Sequence, residues 1–144
     1  MTFTRITEAP WIDEAASLLP FELPRCFSEF IRHYTFCDFQ IHRLHHYDNF
    51  ADNFDWCWHV AITRDQSIFE FCKRHLFLPI GQPDDGNYDR LCLDLNRLKN
   101  GDCPVVQLDH ESILLKNKLK IVGEPFPSYE KLTTKVLDAY FQGD

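Results

Sequence analysis

Seven carboxylates fall between residues 84 and 111 of this chain, and Asp84, Asp85, Asp89, Asp94, Asp109 and Glu111 are the candidates for chemistry among them. Acids at short range are raw material for general acid–base chemistry, because each charge perturbs the pKa of its neighbour. The local patterns favour plainer duties. Asp84 and Asp85 stand in "PDDGN", a turn-forming stretch where aspartate is common for its bonds to nearby backbone. Asp94 and Asp109 fall on the outward parity of the strands expected around them. Catalytic carboxylates need burial or charge pairing, whereas a face that holds a basic partner needs only surface acids.

Metal chemistry is the other candidate. "HRLHH" offers His42, His45 and His46, and "DHE" offers Asp109, His110 and Glu111. On a strand, His42 and His46 would share a face but stand ~13 Å apart, too far for one ion. "DNFADNFD" lacks the alternating oxygens and sharp glycine of a calcium loop. No order of Ser, Cys, His and Asp suggests a nucleophilic triad. The expectation is therefore no catalytic residue, no metal and no cofactor. In "WCW", Trp58 suits the core and Trp56 is left near an edge, as a partial plug or an interface anchor.

These residues must be positioned by the rest of the chain. Its 144 residues suffice for one domain, and 44% hydrophobic and 15% aromatic content suit a packed interior. The net charge of -7 is concentrated in residues 81–112, with seven acids against three bases. Such a surface repels a phosphate backbone, so a direct nucleic-acid partner is not expected. No apolar run approaches a membrane span, and the acidic N-terminal stretch lacks a signal-like core, so a cytoplasmic protein is expected. The scattered cysteines 26, 37, 57, 72, 92 and 103 read as buried free thiols.

Helices are expected at 13–19, ended by Pro20, and at 24–35, where Phe27, Phe30, Ile31 and Tyr34 form a stripe. A strand follows over 38–47, then a helix capped by Asp48 or Asn49 that carries Phe50, Phe54, Cys57, Trp58 and Ala61, and a shorter one at 66–75. Strands are expected at "LFLPI", ended by Pro79, and at "YDRLCLDL", with Leu91, Leu93 and Leu95 inward and Arg90, Cys92 and Asp94 outward. "PVVQLDH" puts Val106 and Leu108 inward, with Gln107 and Asp109 on the polar face. A tight reversal at "KNK" feeds "LKIV", with Leu119 and Ile121 inward. Ser128 caps a final helix with Tyr129, Leu132, Val136 and Tyr140 on one stripe. The pattern is α+β: an antiparallel meander flanked by helices and closed by the last one.

The stretches "LPIGQPDDGNYDRLCLDL", "GDCPVVQLDHES" and "PFPSYEKL", after the early "LPFELPRCFSEFIRHY", resemble the SUKH superfamily, the group around the Smi/Knr cell-wall regulators of yeast. The resemblance covers nearly the whole chain and is most specific over residues 78–111. Matching motif positions are Pro79, Gly81, Gly86, Asp89, Leu93, Asp94, Gly101 and Asp109. Family members show a Gly-Gly-Asp-like turn before a "CLDL"-like strand. Here "DDGNYD" stands in its place, with Asn87 and Tyr88 between Gly86 and Asp89. The resemblance implies a domain that binds other proteins without catalysis. Bacterial members resemble immunity proteins that neutralise toxins, and the yeast relatives act in glucan synthesis. The expected partner is a basic protein such as a toxin domain, met by Asp84, Asp85, Asp89, Asp94, Asp109 and Trp56. Regulation of cell-wall synthesis is the alternative, and a small metal- or carboxylate-dependent hydrolase the third reading.

Overall fold

The structure is a computed structural model that describes residues 2–7, 9–37, 39–41, 43–49, 57–62, 67–84 and 88–141. Eight strands and six α-helices are found among these residues. In chain order they are β1 (Thr2–Arg5), α1 (Pro10–Ser17), α2 (Arg25–His33), β2 (Tyr34–Cys37), β3 (Gln40–Ile41), β4 (Leu44–His46), α3 (Trp58–Ala61) and α4 (Ser67–Arg74). Then come β5 (Phe77–Pro83), β6 (Leu91–Asp94), β7 (Val105–Leu108), α5 (His110–Lys116), β8 (Ile121–Phe126) and α6 (Tyr129–Phe141). Strands β3 to β8 pair in sequence order, each antiparallel to the next. The expected α+β meander is present, with α6 packed into its core.

Both faces of this sheet are covered. Leu78, Ile80, Leu91, Leu93 and Val105 meet Ile12 of α1, Phe27 and Ile31 of α2, and Tyr129 and Leu132 of α6 in the main core. Phe77, Cys92, Val106 and Leu108 point the other way, into a smaller core with Ile68, Phe71 and Cys72 of α4 and Ile113 of α5. Val106 therefore lies opposite Cys92, while Leu93 faces Val105. This corrects the expectation that Val106 and Leu108 share a face with the leucines. An antiparallel pair directs both side chains to one face, so the register decides the matter.

Several elements differ from the sequence reading for local reasons. The segment expected as one strand over 38–47 is two short strands, because Arg43 takes a left-handed conformation (φ 62°) at the reversal. Strand β5 runs through Pro79 to Pro83. Strand β4 reaches only as far as the pair His46–Gly81, so the missing N–H of Pro79 breaks no bond on that side. The segment that Asp48 or Asn49 was expected to cap, residues 50–56, lies outside the described residues. Asn49 is fully buried, accepts a bond from Trp11 Nε1 at 3.0 Å and donates to the Tyr34 carbonyl at 2.6 Å and to that of Ile31. Cys57, expected on that helix, is extended and bridges to Asp48, and α3 begins only at Trp58; Phe50, Phe54 and Trp56 lie outside the described residues. The reversal before β8 contains the whole of α5, ended by left-handed Asn117, whose N–H reaches the Ile113 carbonyl at 3.1 Å. Leu119 and Ile121, expected inward, are exposed.

His46 is the most deeply placed titratable group of β4. Its ring stacks on Phe39 with centroids 5.1 Å apart. One nitrogen, Nδ1, donates to the Tyr47 carbonyl at 2.8 Å, and with the ring kept neutral by burial Nε2 accepts from the Tyr129 hydroxyl at 2.9 Å. Burial lowers its pKa to about 4. Above the ordinary histidine value of ~6.5 neither state takes the proton; below it the unfolded chain does and the folded chain does not. Stability is thus lost as pH falls from 6.5 towards about 4, by on the order of 3 kcal/mol from this group. Urea unfolding at stepwise lower pH should show a shallower loss for His46→Gln than for the native chain. Parallel slopes would refute this assignment.

Candidate functional site

The carboxylates singled out from sequence have three different fates. Asp94 is only 4% exposed, where an outward, solvated side chain was expected. It accepts from the backbone N–H of Asn96 at 3.0 Å and from Arg97 Nε at 2.9 Å, and so caps the 3-10 turn Leu95–Arg97 that ends β6. Arg97 also pairs with Glu124 of β8. The face to which Asp94 belongs is roofed by α4 and α5, which removes it from any exposed acidic surface. Arg90, of the same parity, is likewise buried, at 7% exposed. Asp84 is exposed, its N–H bound to the Arg43 carbonyl at 3.0 Å. Asp85, Gly86, His42 and Trp56 lie outside the described residues.

Asp89 and Asp109 are brought together. The first stands where the chain enters β6; the second links β7 to α5. Oδ1 of Asp89 accepts from the backbone N–H of His110 at 2.9 Å and pairs with the Nδ1 of its ring at 2.6 Å. Oδ2 of Asp109 accepts from the Ser112 hydroxyl at 2.6 Å. That bond, aided by the charge of Lys120, holds the Asp109 carboxyl below its usual range and therefore ionised. One ligand atom from each of Asp89, Asp109 and His110 lies within 4.8 Å of the other two. Two carboxylates and an imidazole are a donor set that suits a divalent cation. They also form an oriented carboxylate–imidazole pair, the half of a catalytic triad that needs a nucleophile added. Ser112, the hydroxyl closest in sequence, is buried and donates to Asp109.

Tyr88 completes this end of the sheet. Its side chain is 57% exposed, yet its ring meets that of His110 edge-on at 5.8 Å and is flanked by the Arg90 guanidinium at 5.8 Å. The guanidinium also lies 5.2 Å from the Phe69 ring and donates to the Tyr88 carbonyl at 2.9 Å, while its Nε has no partner among the described residues. An exposed aromatic that already has ring neighbours loses less rotamer freedom on contact than one standing free in solvent.

Two structural residues escaped the sequence reading. Asp102 lies beside the turn formed by Asn100 and Gly101, both of positive φ (54° and 76°) as a tight hairpin requires. Its Oδ1 accepts from the N–H groups of Cys103 at 2.8 Å, Tyr129 at 3.0 Å and Glu130 at 3.3 Å, and from the Cys26 thiol at 3.2 Å. Burial, with that bond to a carboxylate, raises the Cys26 pKa far above the thiol range, so it serves as a donor and not as a nucleophile. Cys26 lines a cleft of about 260 Å³ between α2 and α6, together with Glu29, His33 and Glu130. The acids Asp84, Asp89 and Asp109 lie outside it. His110 was read only as one member of "DHE"; its bond to Asp89 spans 21 residues.

Among the described residues no helix is long and apolar enough to cross a membrane. No family model, no curated protein and no solved structure matches this chain.

Proposed function

We propose that this chain is a non-catalytic protein-binding domain of the SUKH kind, an immunity protein that occludes a basic toxin. The observation that carries the reading is Tyr88: an exposed aromatic ring in contact with His110 and Arg90 and set beside the hydrogen-bonded carboxylates of Asp89 and Asp109. Interface hot spots favour tyrosine in such settings, and fixed acids around it select a basic partner by charge. Asp84 adds a further exposed acid, and the bond to Ser112 lowers the Asp109 pKa and so favours its charged form. Asp94 takes no part, because its oxygens are committed inside the fold.

The test uses the native host's proteins. Basic polypeptides captured on the immobilised chain should be released by rising salt. Tyr88→Ala should weaken retention by about 2 kcal/mol, and Asp84→Asn with Asp109→Asn should reduce its salt dependence. Tyr88 and Asp84 are exposed, and asparagine at 109 keeps an oxygen that can accept from Ser112, so each variant should remain folded, as thermal unfolding checks. Equal retention by all variants would reject the Tyr88 face. Hydrolysis of a substrate that is lost in His110→Ala would instead assign the Asp89–His110 pair to catalysis.

A further inference from the structure

Leu114, Leu115, Leu119, Ile121 and Val122 are 42% to 78% exposed and all fall within nine residues. The last two open β8, the outer strand of the six-stranded sheet, which has no strand on its far side among the described residues. An edge that exposes uncharged apolar residues of successive parity is a template for another strand. Pro125 and two breaks in register against β7 blunt this edge, but Ile121 and Val122 themselves carry neither charge nor proline.

Charge selects the occupant. We propose that β8 pairs antiparallel with β8 of a second copy of this chain, about a two-fold axis at Val122. Under such an axis, with side chains alternating between faces, a residue opposes only itself or one an even number of positions away. Centring on Val122 sets Lys120 against Glu124 of the second copy, and symmetry makes the pair twice. Centring on Gly123 sets Val122 against Glu124 and matches no charges. Centring on Ile121 would need Lys118 opposite Glu124, but the Lys118 N–H is turned back to the Ser112 carbonyl at 3.0 Å, off the strand. The Lys120 carbonyl takes the Asp109 N–H at 2.9 Å and continues the ladder. Lys120 and Glu124 are both exposed; Glu124 already holds Arg97, so the new lysine joins an existing ion pair, and Lys120 also feels the charge of Asp109. This pairing is independent of the proposed toxin-binding face, since it is measured on the chain alone.

Sedimentation velocity on the full chain from about 5 to about 500 µM should show a reversible monomer–dimer equilibrium, as an interface of modest size gives. Lys120→Glu and Glu124→Lys should each weaken it on the order of 100-fold, because two attractive cross-strand pairs become repulsive. The double reversal should return the dissociation constant to within about threefold of the parent. Thermal melts confirm that each variant is folded. A chain monomeric over the whole range overturns the proposal, as do single reversals without effect or a double variant that fails to recover. A monomer that instead binds polyglutamate through its lysines assigns the edge to an acidic partner and overturns it too.

Discussion

Asp102→Ala should lower the stability of the fold by about 4 kcal/mol, one of the two largest effects expected from a single substitution here. A single oxygen of this side chain accepts three backbone N–H groups and one thiol. Two of those N–H groups, from Tyr129 and Glu130, belong to the first turn of α6, where no intrahelical acceptor exists. Bonds to a charged acceptor contribute about 1.5–3 kcal/mol each, but four donors sharing one atom cannot all count in full. Alanine removes the side-chain tie between the Asn100–Gly101 hairpin and a helix 27 residues away, and leaves the Tyr129 N–H its bond to the Cys103 carbonyl at 2.9 Å. Ser128 still accepts from the Lys131 N–H at 3.1 Å, so α6 keeps part of its cap and should persist. Asp102→Asn, which retains a carbonyl oxygen, should recover about half of the loss. Urea unfolding of the three proteins decides the matter: a loss under about 1 kcal/mol for alanine would show that water replaces the carboxylate.

Gly81→Ala is the second. A methyl group there would lie 2.2 Å from the carbonyl oxygen of His45 and 3.0 Å from both the His45 carbonyl carbon and the His46 Cα. These are backbone atoms of the paired strand β4, so no side-chain rotation relieves the clash. Strand β4 would have to move, and with it His46, which is fixed by Phe39 and by the Tyr129 hydroxyl. Repacking of this kind costs about 3 kcal/mol or more, enough to deplete the folded chain in a marginally stable domain. Gly123→Ala is the matched control. Its added methyl meets nothing nearer than Gln107 Oε1 at 3.9 Å, so a change within about 1 kcal/mol is expected. Comparable destabilisation of the two variants would refute the close-approach account.

What could be read from sequence was the periodic part. The stripe of Phe27, Phe30 and Ile31, the cap at Ser128 and the alternation in "RLCLDL" all rest on neighbours in the chain, and each has its element in the structure. The exposure of a strand's second face does not follow from alternation alone. Arg90 and Asp94 look outward by parity, but α4 and α5 cover that side. The available signal was apolar Cys92 and Val106 on the same parity, which a solvated face would not favour. Helix α5, at seven residues, is too short to display a period, although Asp109 before it and Asn117 after it are sound boundary residues. The contact of Asp89 with His110 and the four-fold use of Asp102 join distant segments, and no local pattern encodes them. Of the expected partner-binding acids, the fold keeps Asp84, Asp89 and Asp109 at or near the surface and withdraws Asp94.

The double covering of the sheet restricts where such a chain can change over evolutionary time. Along β5 and β6 a substitution meets packed neighbours whichever way it points, so drift there is penalised in either direction. Variation costs less where side chains stand in solvent, as at Asp84, Leu114, Leu115 and Val122. Accumulated change would therefore leave a common, unseen centre and gather at exposed positions, much as loops vary on a fixed scaffold.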